Sequence, residues 1–372
     1  VCTFAAACLT AAGMKTGLYT SPFVTSFTER IRIDGECIGY DELGVHTKEV
    51  KDLSDKLFGP DDPVTEFEFI TALAFRYFAD KGCGAVVLEV GLGGRLDATN
   101  VIEKPLVSVI TRIDLDHMAV LGDTVEKIAA EKCGIIKDGC PVVMLRDNLP
   151  AAASVIKDFA ARHGSRLIVP EIPDDITDKG LLGSEFYYRG MNIKVPLAGH
   201  HQVGNAATAI EAVLAAFPDV SLSAIESGIA NVRFPARCEV ISREPLVLLD
   251  GSHNPNGTAA LDGLLNSCGI NNAVCIAGFM ADKDVKDAFL NVASHFKKAI
   301  TVTVKSNSRS MTAIELAHVC KNCGCDAMPA EGYDKAIEMA LSYGAPLIVF
   351  GSLYLAGDIR PLLLSRFSTK DY

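Results

Sequence analysis

The chain has 372 residues, of which 49% are hydrophobic, and its formal net charge is −11. This length predicts two domains, and the negative charge argues against nucleic acid or an anionic membrane as the main partner. The longest apolar runs have the length of strands, so we expect no transmembrane helix. Val1–Ala12 lacks the pattern of a secretory signal, and the twelve scattered cysteines indicate reduced thiols in a cytoplasmic protein.

The first half of the chain alternates between segments typical of helices and segments typical of strands. Helical composition or periodicity is found at Val1–Ala12, Tyr40–Leu57, Thr65–Lys81, Thr124–Cys133, Ala151–His163, Gln202–Phe217 and Leu222–Ala230. Strands are predicted at Thr16–Thr20, Cys83–Leu88, Pro105–Thr111, Pro141–Leu145 and Leu167–Val169, with a hairpin-like segment at Glu29–Gly35 and an antiparallel addition at Glu185–Val195. The alternation predicts a parallel sheet covered by helices, in which Cys83–Leu88 is fully buried.

A second α/β set follows the segment Val232–Arg237. Its predicted strands are Leu246–Leu249, Ala273–Ala277, Ala299–Val304 and Pro346–Phe350. We therefore predict one domain over 1–233 and another over 238–372.

The stretch Leu88–Asn100 is unusually rich in polar residues and glycines. It places Glu89 at the carboxyl end of the buried strand, where α/β sheets bind ligands, and its glycines allow close backbone approach. The spacing is not that of a dinucleotide fingerprint, because the third glycine of that pattern would fall on Leu96.

Four other positions could carry chemistry. Glu89 and His117 each follow a strand, and if these strands are neighbours the two side chains form a sparse ligand set that suits Mg²⁺. Lys132 ends a helix before Gly134, which by composition alone is ordinary helix capping. Asp250–Gly257 begins a helix at Pro255 and could bind phosphate at the helix N-terminus. The cluster His318–Cys325 lacks a second cysteine pair, so we favour thiols over zinc.

Together the motifs resemble the folylpolyglutamate synthase/dihydrofolate synthase family of the Mur ligase superfamily. They follow the family order across nearly the whole chain, and Glu89–Asn100 is the most specific. The matching segments are Leu18–Pro22, Phe27–Arg32, Glu89–Asn100, Asp114–His117 with Leu121 and Gly122, Glu131–Ile135, Gly199–Gln202 with Asn205, Arg237, Asp250–Pro255 and Asp282–Asp284.

The resemblance implies an α/β fold of two domains: an N-terminal P-loop-NTPase-like Mur ligase central domain and a C-terminal Rossmann-like domain. It implies an ATP-dependent ligase that activates a folate or dihydropteroate carboxylate as an acyl phosphate for attack by L-glutamate. We expect it to act as a monomer, with ATP and two Mg²⁺ ions.

The resemblance also implies roles for individual residues. Glu89, His117 and a carbamylated Lys132 would bind the metals. Arg237, Asp250 and His253 would contact ATP phosphates or ribose, and Asp250 and His253 are also candidate catalytic residues. Gln202 and Asn205 would lie near the adenine. Candidate substrate contacts are Ser21, Pro22, Arg30, Asp97 and Ser352.

Two departures from the family pattern stand out. The sequence contains no Gly-x-x-x-x-Gly-Lys-[Ser/Thr] motif, so we expect the family's phosphate loop and first strand to precede Val1, and the chain without them to be inactive. Phe23 follows Ser21-Pro22 where the family often has His. The alternatives are a Mur-type ligase acting on a cell-wall precursor, against which the Glu89–Asn100 run speaks, and an inactive binding homologue.

Overall fold

The computed structural model describes residues 1–59 and 61–367. Its helices are α1 (Cys2–Ala11), α2 (Tyr40–Leu57), α3 (Glu66–Asp80), α4 (Met118–Leu121), α5 (Val125–Cys133), α6 (Pro150–Arg162), α7 (His201–Ala216), α8 (Leu222–Ala230), α9 (Pro255–Ser267), α10 (Val285–Val292), α11 (Ala313–Asn322), α12 (Tyr333–Leu341) and α13 (Leu353–Phe367). Its strands are β1 (Thr16–Tyr19), β2 (Ile31–Ile33), β3 (Glu36–Cys37), β4 (Ala85–Leu88), β5 (Ser108–Ile110), β6 (Val142–Met144), β7 (Leu167–Ile168), β8 (Asp174–Asp178), β9 (Ser184–Tyr188), β10 (Met191–Val195), β11 (Glu239–Arg243), β12 (Leu246–Leu249), β13 (Ala273–Ala277), β14 (Phe296–Thr301), β15 (Ala327–Pro329) and β16 (Leu347–Phe350).

The strands of the first half form three sheets. One has the order β3-β2-β1-β4 with β1 and β4 parallel, a second is the parallel set β5-β6-β7, and the third is the antiparallel set β10-β9-β8. The condition that the strands before Glu89 and His117 are neighbours is not met, since β4 and β5 belong to different sheets.

The prediction that the strand before Glu89 is fully buried is wrong. Ala85 is buried, but Val86 is 40% exposed and Val87 and Leu88 are only partly covered. The reason is position: within the described residues β4 pairs with β1 alone and forms the edge of its sheet. An apolar, β-branched run is compatible with a partly covered edge strand as well as with a central one.

The second half forms one sheet of six strands in the order β11-β12-β16-β13-β14-β15, parallel except for β11. The α/β prediction is confirmed here, and the predicted strands at 246–249 and 273–277 match β12 and β13. The prediction for Ala299–Val304 was wrong at both ends, because β14 begins at Phe296 and its ladder with β13 and β15 ends at Thr301. The short edge strands β11 and β15 were missed.

Local signals explain the elements that hold functional loops. Thr124 caps α5 by accepting a hydrogen bond from Lys127 N–H, and Asn254 caps α9 while Pro255 occupies its first turn. Helix α1 packs against α7, α8 and β1 in a core that includes Phe4, Cys8 and Ile225. Among the described residues, no helix is both long and apolar enough to cross a membrane.

Replacement of Gly228 should show how tightly α1 and α8 pack. A methyl group on Gly228 would lie 2.5 Å from the Cα of Cys8, so Gly228→Ala should lower the free energy of unfolding by about 1–3 kcal/mol. Gly263→Ala in α9 is the matched control, because nothing lies within 4 Å of its added methyl. The control should be stabilised by about 0.5–1 kcal/mol. Equal stabilities in urea titrations would contradict this packing.

Candidate active site

The carboxylate of Asp97 holds the glycine-rich loop after β4 in its conformation through hydrogen bonds. Asp97 Oδ2 accepts hydrogen bonds from the N–H groups of Gly91 (3.0 Å) and Leu92 (2.9 Å), and its Oδ1 accepts from Thr99 N–H (2.9 Å) and Thr99 Oγ1 (2.5 Å). These bonds all lie within the loop, so Asp97 braces the backbone that follows Glu89. Its predicted contact with substrate stays a prediction.

The same loop packs against the last turn of α5, which carries Lys132. A methyl group on Gly94 would lie 2.9 Å from the carbonyl oxygens of both Glu131 and Lys132, so the loop approaches α5 more closely than a side chain permits. Asn100 Nδ2 donates to the Gly134 carbonyl (3.0 Å), and Arg95 contacts the Glu131 carboxylate at 3.1–3.3 Å. The loop that begins at Glu89 is thereby fastened to the helix that carries Lys132.

Two of the three predicted metal ligands, Glu89 and Lys132, are held in environments that disfavour their usual charge. Burial raises the pKa of Glu89, and the Ser21 N–H (2.9 Å from Oε2) and the Arg237 guanidinium offset part of this effect. Burial lowers the pKa of Lys132, and the Asp116 carboxylate offsets part of that effect. A buried carboxylate and a lysine whose pKa is lowered are groups of the kind that fit Mg²⁺ and a carbamate.

An acidic loop joins this region to the second half of the chain. Asp116 lies 3.6 Å from Lys283 Nζ and accepts a hydrogen bond from Asn254 Nδ2 (3.4 Å), while Asp114 accepts one from Asn256 Nδ2 (2.5 Å). Burial alone would raise the pKa of Asp116, but Lys283 together with the His117 backbone N–H lowers it. Asp116 therefore stays charged between the two halves.

His117 follows Asp116 in a left-handed conformation (φ 51°) and precedes α4. Its side chain is about half exposed, and its backbone N–H donates to Asp116 Oδ1 (2.8 Å). A metal-binding role for His117 stays a prediction.

A cleft of about 70 Å³ lies between the beginning of α7 and the second half of the chain. It is lined by Ala198, His201, Gln202, Arg237, Cys238, Asp250, Ser252, Gly257, Ala260 and Leu261. Asp250 is buried, with Oδ2 accepting from Cys238 N–H (2.9 Å) and Oδ1 from Ser252 N–H (2.8 Å). The buried Ser252 Oγ has no hydrogen-bond partner among the described residues. An unpaired hydroxyl beside a guanidinium in a cleft suits a polar anionic ligand.

The two imidazoles at the cleft favour the neutral state. Burial lowers the pKa of His253 and of His201, with the Gly251 carbonyl and the Asp250 carboxylate respectively opposing the change. His253 Nδ1 lies 3.0 Å from the Gly251 carbonyl oxygen, which can only accept, so Nδ1 carries a proton and Nε2 remains available. In the first turns of α7, Asn205 Nδ2 donates to Gln202 Oε1 (3.0 Å), which orients the amide of Gln202 at the cleft wall.

The structure separates the predicted substrate residues. Ser21 contacts Glu89 directly and Pro22 follows it, whereas the Arg30 guanidinium lies over the rings of Phe23 (5.4 Å) and Phe27 (5.8 Å). Phe23, the departure from the family pattern, thus packs on a cation.

Ser352 has a different position. It is 2% exposed, and its Oγ accepts from Leu355 N–H (3.0 Å), so its observed role is to cap α13. Its candidate contact with substrate stays a prediction that these contacts do not support.

Three residues of the interface between the halves received no role from the sequence. Lys283, Asn254 and Asn256 make the contacts to the acidic loop. Each lies inside a motif that was recognised, Asp282–Asp284 or Asp250–Gly257, but nothing in the linear order indicates which loop faces it. Complementary charge between the two motifs was the one available signal.

Comparison with known proteins places the chain among ligases. Residues 56–213 match the Mur ligase middle domain, and residues 236–353 match the Mur ligase, glutamate ligase domain. The folylpolyglutamate synthase of Lacticaseibacillus casei is 36% identical over 373 residues, which is 96% of this chain and 85% of that protein. The dihydrofolate synthase/folylpolyglutamate synthase of Bacillus subtilis is 34% identical, over 95% of this chain and 85% of that protein.

Solved structures agree with the sequence relatives. Mycobacterium tuberculosis folylpolyglutamate synthase complexed with ADP and AMPPCP superposes with a TM-score of 0.89 at 29% identity, covering 97% of this chain and 88% of that one. Escherichia coli FolC in complex with DHPP and ADP superposes with a TM-score of 0.85 at 29% identity, covering 98% of this chain and 86% of that one.

Glu89→Gln should stabilise the protein in metal-free buffer at neutral pH. The ionised carboxylate is penalised by burial, and this penalty is present above the raised folded-state pKa and disappears below the unfolded value near 4.5. Melting temperatures measured from pH 4 to pH 8 should therefore favour the variant increasingly as pH rises. The exposed Glu103→Gln is the control and should show no such trend. A variant less stable than wild type at pH 7 would show that the carboxylate is already compensated.

Proposed function

Since the chain belongs to the folylpolyglutamate synthase/dihydrofolate synthase family of Mur ligases, we propose that it is an ATP-dependent ligase that adds L-glutamate to folates. The observation that carries the proposal is the acidic loop 112–117. Through Asp114 and Asp116 this loop holds the region of Glu89 and Lys132 against the cleft of the second half. A phosphoryl-transfer site needs such an arrangement, with metal-type ligands facing a nucleotide cleft.

ATP is assigned to the cleft between Gln202 and Asp250. Arg237 supplies a permanent cation for phosphate oxygens, and Ser252 Oγ and His253 Nε2 supply polar atoms whose partners can come from a ligand. Gln202, held by Asn205, would contact the adenine. The ADP and AMPPCP named with the mycobacterial relative support nucleotide binding of this kind.

The metal ligands are assigned to Glu89, His117 and a carbamate on Lys132. The neutral Lys132 Nζ would attack the carbon of CO₂, forming an N–C bond and releasing one proton to solvent. Burial favours the neutral amine that this step requires. Two bound Mg²⁺ ions would offset the negative charge of the phosphoryl group in transfer.

The reaction proceeds in two displacements. A carboxylate oxygen of the folate forms a bond to the γ-phosphorus of ATP while the bond to ADP breaks, giving an acyl phosphate. The amine of glutamate then attacks the acyl carbon, phosphate leaves, and the ammonium proton is lost. The chain's role is to hold the reactants in line and exclude water from the intermediate. We propose that one chain suffices, since both halves of the site come from the same polypeptide.

We propose that catalysis also needs a glycine-rich phosphate loop with Lys and Ser/Thr. The 372 residues contain no such motif, so the assays below use a protein that carries these residues together with such a loop. Dihydropteroate is a second candidate acid, and it is favoured by the family's dihydrofolate synthases.

The substrate assignment predicts which acceptor triggers ATP cleavage. ADP and phosphate should form only when L-glutamate and a pterin-containing acid are both present, because the acyl phosphate forms on that acid. Assays with tetrahydrofolate, with dihydropteroate and with a UDP-linked muramyl acceptor separate the possibilities. Turnover with the muramyl acceptor and none with folates would overturn the assignment in favour of a cell-wall ligase, and turnover with none of them would favour an inactive homologue.

The lysine assignment predicts an unusual pattern of loss and rescue. Lys132→Ala should reduce ligation by at least ~100-fold, because an oxygen ligand near transferring phosphate is lost. Small carboxylates such as acetate should partly restore activity, whereas Lys132→Arg should stay inactive because guanidinium keeps its charge and supplies no oxygen.

Lys127→Ala is the control for this experiment. Lys127 lies on the same helix, is exposed, and pairs with Asp123 at 2.7 Å, so its loss should leave the rate near that of wild type. Near wild-type ligation by Lys132→Arg without additive would show that the lysine is an ordinary helix-end residue.

A further inference from the structure

A histidine and two carboxylates converge where α2 and α3 pack together, far from the site described above. His46 and Glu49 lie three residues apart on α2, and Asp80 is the last residue of α3. One ligand atom from each lies within 4.8 Å of the others. Asp80 and the α3 residue nearest the glycine-rich loop, Phe67, are 13 positions apart, about 20 Å along the helix.

The imidazole is the informative member of this group. His46 is 7% exposed, and its Nδ1 is buried without a hydrogen-bond partner among the described residues. Nδ1 faces Glu49 Oε2 at 3.5 Å and Asp80 Oδ2 at 3.7 Å, both longer than a hydrogen bond. If Nδ1 is unprotonated, its lone pair faces two anionic oxygens. If it is protonated, its hydrogen-bond partners lie too far away.

A cation bound between His46 Nδ1, Glu49 Oε2 and Asp80 Oδ2 would pair with the nitrogen lone pair and with both carboxylate oxygens. In a tetrahedral zinc site with bonds of 2.0–2.1 Å, the ligand atoms lie about 3.3–3.4 Å apart, close to the two separations seen here. The ring is held in orientation by Tyr77, whose ring lies edge-on to it at 5.4 Å. Tyr77 is itself fixed by a hydrogen bond to Glu42 (3.0 Å).

Arg76 shows that this position attracts positive charge. Its Nε lies 3.4 Å from Glu49 Oε2 and 3.0 Å from Asp80 Oδ2, the same two oxygens that face His46. Its side chain is 55% exposed, so it can move away. Arg76 therefore acts as a competitor that does not reach the unpaired imidazole nitrogen.

We propose that His46 Nδ1, Glu49 and Asp80 form a zinc site, completed by water, that ties α2 to α3. Three protein ligands that include an imidazole, with separations close to those of a tetrahedral site and without nucleotide phosphates to add oxygen ligands, suit zinc. Zinc would bind only where α2 and α3 are folded and packed together, so it should stabilise the folded protein.

Zinc titration of the metal-free protein tests the site. Calorimetry in competition with a chelator should show one equivalent whose affinity falls at least ~10-fold in Glu49→Gln and in Asp80→Asn. Both residues are partly exposed, so these variants should fold. Asp55→Asn, an exposed acid on the same helix that pairs with Lys51 at 2.9 Å, is the matched control and should bind zinc as wild type does.

Two further measurements are specific to this geometry. Arg76→Gln should bind zinc up to about fivefold more tightly, the equivalent of removing one exposed ion pair. Zinc should raise the melting temperature of wild type and Asp55→Asn but not of Glu49→Gln, and excess Mg²⁺ should not displace it.

Cobalt distinguishes this site from cysteines. Burial raises the pKa of Cys325 to about 11 and disfavours its thiolate, but other thiols could still bind metal. The equivalent lost in Glu49→Gln should lack the thiolate charge-transfer band in the Co²⁺ spectrum. Wild-type affinity in both Glu49→Gln and Asp80→Asn, displacement by Mg²⁺, or a thiolate band on the variant-sensitive equivalent would each overturn the proposal.

Discussion

The candidate active site depends on the close packing of the glycine-rich loop against the last turn of α5. Gly94 lies where any side chain would collide with the carbonyls of Glu131 and Lys132, and Asn100 bonds to Gly134 beside it. This contact couples Glu89, at the end of one sheet, to Lys132, on a helix that covers another. Among the described residues β4 and β5 do not share a sheet, and the observed link between the two regions is this loop contact.

Charge across the interface between the halves is the second requirement. Asp116 is held charged by Lys283 and by a backbone N–H, and it also acts electrostatically on Lys132 and His253. The Asp116 carboxylate therefore acts on two groups whose pKa is lowered by burial, Lys132 at the end of α5 and His253 in the loop before α9. A change in the charge of Lys132 or of His253 would therefore act on the other group through Asp116. Such coupling is expected in a site that binds a polyanion and transfers part of it.

Local patterns predicted many of the elements well because their causes are local. Helix α2 and strands β12 and β13 have the predicted bounds. The cap of α5 is equally local, because Thr124 accepts a hydrogen bond from the N–H of Lys127, three residues later. The errors have non-local causes. Val86 is exposed because, among the described residues, β4 is the edge of its sheet, and β14 ends where its partner strands end.

The sequence by itself determined the family, the α/β class and the set of polar residues that follow strands, because motif order and apolar periodicity are properties of the chain alone. Only the tertiary structure decided which of these residues meet. It joined Asp116 to Lys283 across 167 positions of sequence and showed that Asp97 braces its own loop. It also left His46 Nδ1, which lies between two carboxylates, without a hydrogen-bond partner among the described residues. Such pairings depend on distances between elements that are remote in sequence, and burial, which shifts the pKa values of Glu89 and Lys132, exists only after the elements have packed.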